Sequence, residues 1–132
     1  MTVIDGKNAI LGRLATHAAK QLLSGESISI VNAERIIITG NPANTKEKYL
    51  ARRRRGSAHH GPFFPRRPDL IVRRAIRGML PYKTNRGRNA FKRLRVYISM
   101  PEGIGEVQKM EASIRTNYIT IGDISKTLGW RK

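Results

Sequence analysis

The sequence contains no cysteine, which excludes disulfide scaffolds, thiolate zinc sites and cysteine nucleophiles together. Three histidines and nine scattered carboxylates leave little from which to build a general acid–base pair, and no spacing among them proposes one. Neither a catalytic residue nor a metal site nor a cofactor is therefore expected. No apolar run approaches the ~20 residues of a membrane-spanning helix. The start, MTVIDGKNAI, lacks the basic and then apolar segments of a secretory signal, so a mature cytosolic chain with no membrane partner is expected. With 132 residues, 39% of them hydrophobic, a single domain over residues 1–132 with its own core is the natural reading.

What the chain has in excess is positive charge. Twenty-six Lys and Arg face nine Asp and Glu, for a net +17. Self-repulsion of that size opposes compaction, which points to a polyanionic partner. The excess is concentrated. From Lys46 to Arg95 there are 17 basic residues and 2 acids, Glu47 and Asp69, a net +15; the rest of the chain holds 9 against 7, a net +2. A disordered tail fits poorly, because the stretch is internal and carries Tyr49, Leu50, Phe63, Phe64, Leu70, Ile71, Val72, Ile76, Met79, Leu80, Tyr82 and Phe91, whereas disordered segments are poor in such residues. An ordered, polyanion-binding insertion is expected.

Periodicity supplies the architecture. Thr2 to Asp5 is strand-like. Leu11, Leu14, Ala15, Ala18, Ala19, Leu22 and Leu23 recur at helical spacing, with Arg13, His17 and Lys20 opposite, and Gly25 sits where a helix stops. His17 on that polar face reads as solvent- or RNA-facing. Ser27 to Val31 alternates like a strand with one buried face, and Ile36-Ile37-Ile38 reads as a strand covered on both sides. Strand, helix and strand within ~30 residues make a βαβ unit and predict an at least partly parallel sheet. Asn41-Pro42 offers an N-cap and first-turn proline for a helix carrying Lys46, Lys48 and Arg52 to Arg55. Residues 56–68, with two glycines and three prolines, read as an extended loop. Leu70 to Leu80 returns to helix, one half apolar, the other bearing Arg73, Arg74 and Arg77, with Pro81 ending it. Asn85 to Leu94 is a third basic helix, weakened by Gly87. Val96–Ser99 and Tyr118–Ile121 are strand candidates, and Asp123–Leu128 a short final helix. The fold class is α/β: a mainly parallel central sheet, flanking helices, and a long basic helix–loop–helix insertion.

Nucleotide motifs fail. Five residues separate Gly6 from Gly12, and Arg13-Leu14 follows, whereas a phosphate loop of the Walker type has four and then Lys and Ser or Thr; no GxGxxG is present. The loop reads as a structural βα turn, with Asp5 in a turn or capping role. Successive residues of a helix turn by ~100°, so Arg52 to Arg55 point in four directions. That suits a partner enclosing the element, such as folded RNA, better than one groove of a duplex. Arginine's planar fork holds phosphates bidentately and stacks on exposed bases. His59 and His60 point to opposite sides of an extended segment with no acid nearby, and read as stacking or phosphate-contacting groups rather than metal ligands. Phe63-Phe64, between Pro62 and Pro65, either stacks on bases or anchors the loop. The contact candidates are Lys48, Arg52, Arg53, Arg54, Arg55, His59, His60, Arg66, Arg67, Arg73, Arg77, Lys83, Arg86, Arg88 and Arg93. An RNP1 pattern, a GXXG clamp, a zinc finger and a heptad basic region are all absent.

Val31-Asn32-Ala33-Glu34-Arg35 through Ile38-Thr39-Gly40, then Arg67-Pro68-Asp69, Ile76-Arg77-Gly78-Met79-Leu80-Pro81, Arg86-Gly87-Arg88 and Arg95-Val96-Tyr97 closely resemble the family of the thirteenth protein of the large ribosomal subunit. Leu11-Gly12-Arg13 and Ile124 to Gly129 extend the likeness over nearly the whole chain, and Arg67-Pro68-Asp69 with the C-terminal segment resembles its archaeal and eukaryotic branch; the short length favours an archaeal source. The resemblance implies a non-enzymatic structural constituent, cytoplasmic within the ribosome, bound to large-subunit rRNA and neighbouring ribosomal proteins and active early in assembly. It implies neither a small-molecule substrate nor a homo-oligomer. Two rivals stand beside it: a non-specific nucleic-acid packaging protein, and a nucleotide-dependent enzyme on the βαβ unit.

Overall fold

A computed structural model describes residues 2–55 and 64–130; His59, His60 and Phe63 lie outside them. In chain order the elements are β1 (Thr2–Asp5), α1 (Leu11–Leu23), β2 (Ile28–Val31), a 3-10 turn (Ala33–Arg35), β3 (Ile37–Thr39), α2 (Pro42–Arg54), α3 (Pro68–Arg77), α4 (Asn85–Lys92), β4 (Leu94–Val96), β5 (Gln108–Lys109), β6 (Tyr118–Thr120) and α5 (Ile121–Thr127). β4, β2, β1 and β5 lie side by side in that order, every pair parallel, and β3 pairs antiparallel with β6 in a separate ribbon. The expected α/β architecture with a mainly parallel sheet is what forms.

β1, α1 and β2 make the βαβ unit read from the sequence. The buried face of α1 is Leu11, Leu14, Ala15, Ala18, Ala19 and Leu22, and its alanines let neighbouring elements approach closely. β2 departs from expectation. All four of its residues are buried, not one face of it, because it runs between β1 and β4 and both of its faces are covered. Asp5 ends β1 and ties the following turn to the strand beside it. Its Oδ1 accepts from the Lys7 backbone N–H at 3.0 Å and from Asn32 Nδ2 at 2.9 Å.

The isoleucine run does not continue the parallel sheet. Asn32 takes a left-handed conformation (φ 57°) that this residue type tolerates better than most, and the 3-10 turn follows. The chain leaves the sheet there. Ile36 and Ile37 are buried, while Ile38 is half-exposed and Thr39 exposed.

The helices of the basic stretch lie close to their expected places. Asn41 caps α2 by accepting from the Ala43 N–H at 2.9 Å, with Pro42 at the first turn. α3 buries Ile71, Val72 and Ile76, but it starts at Pro68 and stops at Arg77, short of Pro81. A turn over residues 78–84 intervenes, and Thr84 caps α4 through the Gly87 N–H at 3.2 Å. Gly87 is required where propensity disfavours it, since a Cβ there would stand 1.9 Å from the Pro81 carbonyl oxygen. Pro81 is thus the floor on which α4 rests, rather than the end of α3. β4 begins earlier than expected, at Leu94, and its backbone pairing continues past Val96: Tyr97 N–H donates to Ile30 O at 2.8 Å and Asn32 N–H to Ser99 O at 3.0 Å.

Candidate nucleic-acid interface

The cations of the Lys46–Arg95 stretch divide by what holds them. α2 has no apolar stripe; its one buried side chain is Tyr49, with Leu50 half-buried. Lys48, Arg54 and Arg55 on this helix and its end are exposed, as are Arg66, Lys83, Arg86 and Arg88 further on. Arg52 and Arg53 are half-buried. Arg52 lies over the Tyr49 ring at 5.1 Å and the Phe64 ring at 5.9 Å, and Arg53 Nη1 donates to the Phe64 carbonyl. Phe64 is buried and packs edge-on against Tyr49 with centroids 5.6 Å apart. Of the two roles open to it, the structure gives Phe64 the anchoring one.

Six more candidates are tied into the fold. Arg73 stacks on Phe91 at 4.5 Å and donates to Leu94 O at 3.0 Å, bridging α3 and β4. Burial, followed by the like charge of Arg95, holds its pKa below the usual arginine value, against an opposing pull from Asp69. Arg93 donates to Leu22 O, and to Glu26 O at 3.3 Å, while Arg86 Nη2 reaches Leu23 O at 3.4 Å. Both guanidiniums therefore cap the C-terminal end of α1, where carbonyls lack helical partners and the helix dipole favours cations. Arg67 pairs with the largely buried Asp69 at 3.1 Å. Arg77 stacks on Tyr82 at 4.6 Å and Arg88 Nε donates to Tyr82 O at 3.2 Å. His59 and His60 belong to the undescribed residues.

Carbonyls and rings position these cations without neutralising them. Of the stretch's 17 basic residues, Arg67 alone has a carboxylate partner among the described residues. One arginine missing from the candidates belongs with them: Arg74 Cζ lies 5.2 Å from the Phe64 centroid, on the opposite helix from Arg52. The half-polar wheel of α3 was its only signal in the sequence, and that wheel does not distinguish it from Arg73, which turns inward. His17, expected on a polar face, is half-buried, and its Nε2 has no hydrogen-bond partner among the described residues. Among the described residues, no group of three or more acids and histidines is placed to hold a metal, and no helix is long and apolar enough to cross a membrane.

Fold and charge together define a class: a small α/β protein with a parallel sheet and one uncompensated, arginine-rich flank. The sequence pattern of the family described as ribosomal protein L13 matches residues 1–102. Chains named large ribosomal subunit protein uL13 are similar over 98% of this one: 49% identical in Methanopyrus kandleri, covering 87% of that protein, 48% in Methanococcoides burtonii and 49% in Methanosarcina barkeri, each covering 98%. The chain belongs to the ribosomal protein L13 family, in its archaeal branch.

Proposed function

We propose that this chain is a structural constituent of the large ribosomal subunit, held in the cytoplasmic ribosome by large-subunit rRNA and neighbouring proteins, without enzymatic activity. The observation that carries the reading is the uncompensated charge. Sixteen basic residues of one 50-residue stretch lack a described carboxylate partner, and phosphates supply the missing anions. The exposed cations Lys48, Arg54, Arg55, Arg66, Lys83, Arg86 and Arg88 are the first contacts. Arg53, Arg73 and Arg93 act behind them by fixing the segments that present the others. The relatives are named as proteins of the large ribosomal subunit, which makes large-subunit rRNA the polyanion proposed, and support of early subunit assembly is the role that the family resemblance implies.

The test is binding to a large-subunit rRNA fragment across a salt series, with random duplex DNA as competitor. Each neutralised phosphate adds ~0.7–0.9 to the slope of log affinity against log salt, so a steep slope and preference for the rRNA are expected. A slope near zero would sink the proposal. Equal affinity for the DNA would favour a packaging protein instead. Changing Arg54, Arg55 and Arg66 to Glu reverses charge at exposed sites and is expected to abolish rRNA binding while leaving the circular dichroism spectrum unchanged.

A further inference from the structure

Between α2 and α3 lies a cleft of about 350 Å³, at the small end of the ~300–1,000 Å³ of ligand pockets. Its floor is apolar, with Tyr49, Phe64 and Ile71, and its walls carry Arg52, Arg55 and Arg74. No acid lines it. The cleft beside α5 holds Glu34 and Asp123 among its walls, and the one beside residues 110–113 holds Glu111.

We infer that this cleft is a phosphate site, seating one phosphate between Arg52, Arg55 and Arg74. The reading of the chain as RNA-binding supplies the natural source of that phosphate, a phosphodiester of the bound strand. Arg52 and Arg74 come from different helices and converge on one buried ring, their Cζ atoms 5.9 and 5.2 Å from the Phe64 centroid. A guanidinium resting on an aromatic face is held by that face, and its N–H edge remains available for a bidentate bond to an anion. The geometry is set before the ligand arrives, which reduces the ordering lost on binding. Phe64 itself is held edge-on by Tyr49, and its carbonyl takes Arg53. Three like charges around one hollow repel one another, and none has a carboxylate partner among the described residues. A phosphate relieves all three.

The experiment compares the full chain with the double variant R52Q/R74Q and with a charge-matched control, K109Q/K126Q, on the same rRNA fragment. The site variant is expected to lose tenfold or more in affinity, which is about 1.4 kcal/mol or more. Its salt slope should fall by about one phosphate's worth, ~0.7–0.9, while the control keeps the wild-type slope. F64L leaves every charge in place and removes the ring beneath the guanidiniums, so a drop in affinity for it separates a built site from general attraction. If R52Q/R74Q does not fold, as read by circular dichroism, R74K and F64L carry the same comparison. A second arm melts the protein in sodium phosphate against sodium chloride at equal ionic strength. A rise in melting temperature that R74K lacks shows that free phosphate also fits; no rise, with the slope change present, assigns the site to the polymer's phosphodiester. Steep wild-type rRNA binding left unchanged by R52Q/R74Q, R74K and F64L overturns the site and leaves the proposed function standing. A flat wild-type slope overturns the proposed function, and the site then survives only on the phosphate-dependent melting shift; without that shift it falls too.

Discussion

Tyr49 is the one large side chain that α2 commits to the interior, and two consequences follow from its burial. Desolvation pushes its phenol pKa above the ordinary 10.0, and the Arg52 charge pulls only partly against it. The folded state therefore holds the phenolic proton more tightly than the unfolded chain does. That stabilisation is complete below pH ~10 and drains away as the pH rises through the unfolded and then the folded value. Urea melts of wild type and Y49F from pH 8 to 11 should show the wild type losing stability faster above pH 10; parallel curves would refute this. Gly87 is the sharper case at this scale. A methyl there would occupy the Pro81 carbonyl, so G87A, favourable in an isolated helix, is expected to destabilise the protein by about 3 kcal/mol through backbone overpacking. Denaturant titration checks the sign, which propensity alone would reverse.

Helix α1 shows how an element draws on distant residues. Its apolar stripe accounts for its existence and its buried face, but its C-terminal end is completed by Arg86 and Arg93, 63 and 71 residues away from the carbonyls they bind. R93A removes bonds to both Leu22 O and Glu26 O, and a loss of about 2 kcal/mol is expected from a charged donor of this kind. Hydrogen exchange should place the increased opening in the last turn of α1 rather than in α4. α2 is the opposite kind of element. Polar around most of its circumference, it depends on Tyr49, Leu50 and a single Asn41 cap, and its Lys46, Lys48 and Arg54 stand exposed. An amphipathic helix would have hidden half of them.

Over the whole molecule, a nearly neutral sheet-and-helix body carries a stretch of net charge +15. Repulsion within that stretch opposes the compact state at low ionic strength and is screened over ~10 Å at 0.1 M salt. The melting temperature is therefore expected to rise when sodium chloride is increased from 20 to 300 mM. A gain of about 1 kcal/mol corresponds to ~3–5 °C for a chain of this size. Calorimetry that found no rise, or a fall, would mean that the guanidiniums are already compensated within the fold.

Much of this was legible from residues alone. The 3.6-residue spacing from Leu11 to Leu23 specified α1, the Asn41-Pro42 pair specified the start of α2, and counting charge located the basic flank, because local periodicity, capping chemistry and composition need no distant partner. The parallel sheet followed from the βαβ order. Packing settled what depends on neighbours far along the chain. Ile36-Ile37-Ile38 left the central sheet because Asn32 turned the backbone, and β2 was buried along its whole length because it became a central strand between β1 and β4 with α1 packed on it. Among arginines identical in one dimension, Arg73 and Arg93 turned inward to carbonyls while Arg52 and Arg74 met over Phe64. A guanidinium's charge is a property of its own atoms, but its burial, its supporting ring and its hydrogen-bond acceptor come from elsewhere in the fold. The order of residues was therefore enough to locate an uncompensated basic flank, and the convergence of α2 and α3 on Phe64 was needed to decide which guanidiniums share a ring and which turn inward.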